Sequence, residues 1–264
     1  MYCLSLNDED YTKINSLNYI PVGLGKNKFG SKWLRDNNGI NISEKNSFYG
    51  EYTFHYWFWK NKIFEINDDK WIGFCAYRRF WTNSINLYKI NKKDDFLNRI
   101  PEEWNDQDVI LGQYINMDGW TKMKILKHGL KSFLFKPKYF LKKNQNLKLH
   151  FDSFHGFGNL DKAIELLYDD DKKDFKFFME NQNYYNQGNM FIFKNKKIIN
   201  SFYNTIFPWL QRCESIFGFN EKSYGNTRLY AFLMERFISY WFNKYSKVKI
   251  WPIAFYDINK ENLI

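Results

Sequence analysis

Arginine is what this chain does without: seven stand against 32 lysines. Cysteine is equally sparse. Cys3, Cys75 and Cys213 are odd in number and show no CxxC spacing, which argues against a disulfide framework or a thiolate zinc site and predicts reduced thiols. No P-loop and no GxGxxG occurs. Gly23 and Gly25, in PVGLGKNKFG, are the nearest thing to a phosphate-approaching turn, and an ordinary loop explains them as well. The opening MYCLSLNDED has neither the basic region nor the apolar run of a signal peptide, and no apolar stretch reaches the ~20 residues of a membrane span. The expectation is a cytoplasmic protein. No Gly/Ser-rich or Pro-rich linker and no internal repeat marks a second domain.

Aromatic residues are abundant, at 21%, so the core is expected to be built from Phe, Tyr and Trp. The formal charge of +10 suits anionic partners such as nucleic acid, a nucleotide-sugar diphosphate or an acidic membrane surface. The general enrichment in Lys, Asn, Ile, Phe and Tyr offers a blander source for that charge, the codon usage of an AT-rich genome. Against such a lysine background the adjacent pair Arg78-Arg79 is informative, because arginine supplies a planar, bidentate donor for carboxylate or phosphate.

The hydrophobic pattern alternates strands with helices, the signature of a layered α/β sheet. Residues 2–6 and 19–23 read as strands. Ser43 is placed to cap a helix whose buried stripe is Phe48, Tyr52, Tyr56 and Trp59. Residues 71–77 are almost continuously apolar, as in a central parallel strand covered on both faces, and 108–112 read as the next such strand. A helix over 159–168 is followed by a charged loop at Asp169, Asp170 and Asp171. Residues 189–194 form a strand, 196–207 a helix ending near Pro208, 225–245 a long helix and 248–251 a last strand.

Ligands in such proteins bind at the carboxyl ends of strands, which puts Tyr77, Arg78 and Arg79 where a phosphate-bearing molecule would be held. Fixed guanidinium groups there can neutralise a departing diphosphate; two ion pairs within the fold are the competing explanation. If extended geometry continues, the two arginines point to opposite faces. The literal Asp-x-Asp, Asp106-Gln107-Asp108, precedes its strand and reads as a strand-entry turn, so a Mn or Mg site has no well-placed ligand pair. Glu51 and His55 do not form HExxH. Glu51 within an aromatic helix must find a donor or face a cleft. His155 and Asp161 flank the turn in HGFGNLD and serve either helix entry or acid/base and acceptor-binding chemistry. Glu235-Arg236 is an internal pair or a site.

The motifs resemble a bacterial family of capsular and lipopolysaccharide biosynthesis proteins. That family was long known only as a domain of unknown function and is now regarded as GT-A-like glycosyltransferases, some of them galactofuranosyltransferases. The residues carrying the resemblance are Ile20, Pro21 and Gly23; Asp36, Gly39, Asn41, Ile42, Ser43 and Asn46; and Glu51, Thr53, Tyr56, Trp57, Trp59, Lys60 and Asn61. They continue with Ile72, Gly73, Tyr77, Arg78, Arg79 and Phe80, then Asn189, Met190, Phe191 and Ile192, and finally Arg228, Glu235 and Arg236. Two positions depart: Ala76 replaces the family's His before Tyr-Arg-Arg, and Gly50 stands where Cys is common.

The resemblance implies one GT-A-like, Rossmann-type domain over 1–264, with a mostly parallel sheet flanked by helices. It implies a nucleotide-sugar donor, UDP favoured, and a glycan or lipid-linked glycan acceptor, with no nucleic acid. Donor contacts would come from Gly23, Asp36, Asn41, Ser43, Asn46, Tyr77, Arg78 and Arg79. Acceptor contacts would come from His155 and Asn189, and the catalytic carboxylate from Asp161 or Glu235. Residues 122–143, lysines mixed with Phe, Leu and Tyr, look like an insertion that could dock on the inner face of the membrane or form a solvated lid. Phosphotransfer to capsule sugars, a non-catalytic glycan-binding protein and a nucleic-acid-binding module are the alternative classes.

Overall fold

The structure is a computed structural model describing residues 1–68, 70–117, 134, 145–186, 188–219 and 224–258. Of the expected insertion at 122–143, all but Leu134 lies outside the described residues. The strands are β1 (Tyr2–Ser5), β2 (Ile20–Gly23), β3 (Leu34–Arg35), β4 (Ile72–Ala76), β5 (Arg79–Trp81), β6 (Val109–Gly112), β7 (Tyr114–Asn116), β8 (Tyr184–Asn186), β9 (Phe191–Phe193), β10 (Val248–Trp251) and β11 (Ile253–Phe255). The helices are α1 (Tyr11–Ser16), α2 (Asn46–Tyr49), α3 (Tyr52–Asn61), α4 (Leu147–His155), α5 (Asn159–Glu165), α6 (Asp169–Asn181), α7 (Lys196–Phe217), α8 (Tyr224–Thr227) and α9 (Leu229–Tyr245).

The chain divides into two compact units. The first comprises Met1–Gln113, Gln187–Asn204 and Trp241–Ile264; the second comprises Tyr114–Asn186 and Thr205–Tyr240. The first is built on a sheet of order β10-β6-β9-β4-β1-β2-β3. Its pairings are parallel except at β9, which runs against both β4 and β6. The sheet is therefore the mostly parallel one that the alternating pattern implies. Residues 108–112 do form a strand in the direction of β4, but β9 is threaded between the two. Strand β5 folds back antiparallel on β4 and pairs with β11. The carboxyl ends of β1, β2, β3 and β4 thus share one edge, and the reversed strand β9 begins there.

Alternation along β4 explains its central place. Phe74 points into a cluster with Tyr2, Phe54, His55, Phe58, Phe191 and Phe193, the nearest ring being His55 at 4.2 Å. Cys75 faces the other side and joins a core with Trp81, Trp104 and Trp251. Both faces are covered, as a parallel strand requires.

The second unit carries the antiparallel pair β7–β8 and a core in which the Phe175, Trp209 and Phe237 rings meet at 5.1–5.9 Å. Trp209 donates its indole N–H to the Ala163 carbonyl at 2.7 Å.

Several local expectations need correction. Asp169, Asp170 and Asp171 open α6 instead of forming a loop; acidic side chains suit the positive end of a helix. Helix α7 continues through Pro208 to Phe217. The expected helix over 225–245 is interrupted between α8 and α9, and β11 follows the supposed last strand. Ser43 opens a short 3-10 turn and makes no capping bond. Gly50, at φ +59°, separates α2 from α3, so the anticipated stripe is not one face. Phe48 and Tyr56 are only half-buried, whereas Phe54, Trp57 and Phe58 carry the packing.

Phe74→Ala is expected to destabilise the fold by about 3–5 kcal/mol, a fall in melting temperature of roughly 6–20 °C for a chain this size. Thermal unfolding of the variant measures it.

Candidate functional site

Asp36 follows β3 at the carboxyl edge and is completely buried. One carboxylate oxygen accepts the Gly25 amide N–H at 3.0 Å and the other the Thr53 hydroxyl at 2.6 Å. Burial raises its pKa, while the Thr53 and Gly25 hydrogen bonds and nearby Arg35 oppose the rise. The loop beyond it is fastened along α3. Trp57 donates its indole N–H to Asn38 at 2.6 Å, and Asn61 exchanges two hydrogen bonds with the Ile40 backbone at 3.0 and 2.8 Å. Alternate loop positions 36, 38 and 40 thus meet 53, 57 and 61, which lie one turn apart along one face of α3.

The other expected donor-binding residues of the first half join this network. Ser43 donates its N–H and hydroxyl to Asn41 Oδ1 at 3.2 and 3.0 Å. Asn46 donates to the Gly50 carbonyl at 2.8 Å and to the Thr53 hydroxyl at 3.1 Å, and packs against Gly25. Gly23 leaves room for the Phe29 ring, since a Cβ there would stand 2.7 Å from it. Arg35 lies over that ring at 4.5 Å and donates to the Gly23 and Gly25 carbonyls at 3.1 and 2.7 Å. The expected residues did not include Arg35; its rarity, the argument applied to Arg78-Arg79, could have singled it out.

Tyr77 and Arg78 form the two-residue turn between β4 and β5, so extended geometry does not continue through the triplet and the opposite-faces expectation falls. Tyr77 is anchored through its N–H to the Leu4 carbonyl at 3.0 Å. Arg78 is exposed and lies 5.0 Å from the Tyr77 ring centroid; Arg79 is half-buried over Phe255 at 5.3 Å. Neither guanidinium has a carboxylate partner among the described residues, so the ion-pair explanation finds no support there. A Cβ at Gly188 would stand 3.3 Å from Arg79 Nη1, and Gly188 has φ +74°, so this close approach requires glycine. Asn189 follows it: its oxygen accepts a short hydrogen bond from the Tyr52 hydroxyl, and its amide donates to Glu51 Oε2 at 3.3 Å.

No group of three His, Cys, Asp or Glu side chains among the described residues could hold a metal ion. Asp108 lies at the opposite end of β6, accepting the Lys247 N–H at 2.9 Å. At the end of β4 the side chains are tyrosine and arginines, which suit an anion. Cys3, Cys75 and Cys213 are buried free thiols.

A sequence profile for a domain of unknown function, DUF4422, matches residues 3–247. The chain belongs to the DUF4422 family. No curated protein sequence matches it. Its fold is similar to that of the WbbM bifunctional glycosyltransferase in its apo structure, with a TM-score of 0.66 at 22% identity. The similarity covers 90% of this chain and 42% of that one, so the chain corresponds to less than half of WbbM. The family and the GT-A-like fold implied by the motifs are thereby borne out.

The remaining expected residues of this DUF4422 chain belong to the second unit. Asp161 is ion-paired at 2.5 Å with Lys148, a buried lysine that also lies 3.6 Å from Asp152. Burial pushes the Asp152 carboxyl up to about 6. Glu235 forms a short ion pair with Arg236, whose guanidinium is 4.3 Å from the Tyr185 ring centroid and 3.4 Å from His150 Nδ1. His155 is buried with its ring 4.0 Å from Phe232, and its Nδ1 lies 3.1 Å from the Gly225 carbonyl. Burial, reinforced by Arg236, holds it well below the usual histidine range, so it is neutral at pH 7.

Thr53→Val removes the hydroxyl that most strongly supports the ionised Asp36. The folded-state pKa of that carboxyl, already above its unfolded value, rises further. The contribution of a raised carboxyl is present at low pH and lost as pH rises through the folded pKa. Thr53→Val is therefore expected to cost about 1–3 kcal/mol at pH 7 and less at pH 4. Urea unfolding of both proteins at the two pH values measures the difference.

Proposed function

We propose that this chain is a glycosyltransferase acting on a nucleotide-sugar donor, UDP favoured, with a capsular polysaccharide or lipooligosaccharide as acceptor and galactofuranose or another hexose as the sugar. One observation carries the reading. Two adjacent arginines, in a chain with seven, stand at the carboxyl end of β4 with no carboxylate partner among the described residues. Ligands of α/β sheets bind at that edge. The GT-A-like fold and the likeness to a bifunctional glycosyltransferase support the same reaction class.

In this reading the diphosphate lies against Arg78 and Arg79. When the anomeric carbon–oxygen bond breaks, the electron pair leaves on the phosphate oxygen, and the guanidinium groups stabilise that charge without having to reorganise. Backbone contacts through Tyr77 and Gly188 preorganise the two cations. The loop around Gly23, Gly25 and Arg35, held from behind by Asp36, lies at the same sheet edge and is the proposed place for the nucleoside. Asn41, Ser43 and Asn46 shape that wall through their hydrogen bonds to backbone and to one another. Contact with the inner face of the membrane through 122–143 belongs to the proposal on sequence grounds alone, and no helix of the described residues is long and apolar enough to cross a membrane.

Binding to the folded state raises the melting temperature by mass action, by about 2.7 kcal/mol of stability at a hundredfold excess over Kd. UDP is expected to raise the melting temperature of the wild type in the presence of EDTA. Arg78→Ala and Arg79→Ala should each lose most of the shift while melting, without ligand, close to the wild type. A shift that appears only with Mn²⁺ would overturn the arginine assignment, and no shift with UDP, GDP, CMP or their sugars would overturn the transferase reading.

A further inference from the structure

The first unit's sheet also carries a cavity at its other edge. Tyr19 and Trp71, which immediately precede β2 and β4, line a space of about 340 Å³. The proposed diphosphate site stands where β4 ends, so the two lie at opposite edges. Leu17, Trp104 and Ile192 complete the apolar walls, and the Trp71 and Trp104 ring centroids are 5.3 Å apart. The Tyr19 hydroxyl is already satisfied, donating to the Leu97 carbonyl at 2.5 Å.

A few polar groups remain uncommitted. Arg99 lines the cavity, is exposed, and forms no ion pair or side-chain hydrogen bond among the described residues. The neighbouring Asn98 side chain is likewise unbonded there. The Trp104 indole N–H is buried without an acceptor. None of the described carboxylates lines the cavity. Apolar and aromatic walls with a small number of polar groups are the composition of a small-molecule site. The volume is near the lower end of the roughly 300–1,000 Å³ that such sites occupy, which suits one chain and not a bulky ligand. A guanidinium without a protein partner suits phosphate or carboxylate, and here too the cation is one of only seven arginines. Ile100, 55% exposed, extends the apolar lining toward solvent.

We propose that this cavity binds a single-chain anionic amphiphile, its apolar chain against Trp71, Trp104 and Ile192 and its anionic head on Arg99. Each methylene buried there raises affinity about fourfold, and the guanidinium selects a charged head over a neutral one. A phosphorylated lipid alcohol and a fatty acid both have this chemistry. The site is separate from the nucleotide edge and does not depend on the transferase reading.

Titration calorimetry of the whole chain with butyl, hexyl and octyl phosphate, octanoate, octanol and inorganic phosphate, all below micelle formation, tests it. Wild-type affinity should rise about fourfold per methylene from butyl phosphate until the cavity is full, with no measurable binding of inorganic phosphate. Arg99→Ala should weaken octyl phosphate or octanoate about tenfold or more, as expected for loss of a charge-assisted contact, and leave octanol unchanged. Ile100→Asp, at a second exposed position, should weaken all the octyl compounds and supplies the readout if Arg99→Ala does not fold. Tighter binding of octyl phosphate than of octanoate would support the site and identify a phosphorylated lipid alcohol; the reverse would support it and identify a fatty acid. Affinity independent of chain length, equal affinity in Arg99→Ala, or retention on phosphatidylglycerol vesicles without affinity for octyl phosphate or octanoate would overturn it. The melting-temperature response to UDP tests the nucleotide site alone and should persist in both variants.

Discussion

The fully buried carboxylate of Asp36 is the constraint on which the first unit's binding edge depends. An ionised group with no access to water is costly unless donors satisfy it. Here they come from two different segments, the amide of Gly25 after β2 and the hydroxyl of Thr53 on α3. A single side chain therefore fixes the turn after β2, the end of β3 and the first turn of α3 against one another. The ladder from Asn38 to Trp57 and from Ile40 to Asn61 extends that junction along the helix. Once α3 is fixed, so are Glu51 and Tyr52 at its start, and through them Asn189 at the head of β9.

This dependence explains why so much of the family pattern lies between positions 36 and 61 and so little of it carries free polar groups. Asp36, Asn41, Ser43 and Asn46 have the residue types expected to touch a ligand, yet their hydrogen bonds run to backbone and to neighbouring side chains. They act as a scaffold that presents a wall. The arginines behave differently. Arg35 spends its donors on two backbone carbonyls, Arg212 donates to the Leu166 carbonyl at 2.8 Å, and Arg236 is buried against Glu235 and Tyr185. Among the described residues, Arg78 and Arg79 meet aromatic faces and backbone and have no carboxylate partner.

The α/β alternation and the burial of β4 on both faces were legible because hydrophobic periodicity is a local signal. Strand order and direction were not, since nothing in NMFIF says that β9 runs against its neighbours. The start of α6 was misread because three aspartates look like a solvated loop until the helix dipole is considered. The end of α7 was misread because Pro208 is tolerated within it. The Glu51–Asn189–Tyr52 arrangement could not be read at all, because its members are brought together only by the completed sheet. Ala76, where the resemblance implies histidine, is the last residue of β4 and pairs with Arg79 across the hairpin; His55 packs on the Phe74 ring at 4.2 Å, buried, with its pKa pushed down to about 3 by burial.

The central claim is that the carboxyl end of β4 is a diphosphate site. Hydrogen–deuterium exchange of the whole chain with and without saturating UDP tests it most directly. The account predicts slowed exchange in peptides covering 77–81 and 188–191, with smaller protection at 23–25. Binding of UDP without protection at 77–81, or with protection confined to 145–186, would contradict it.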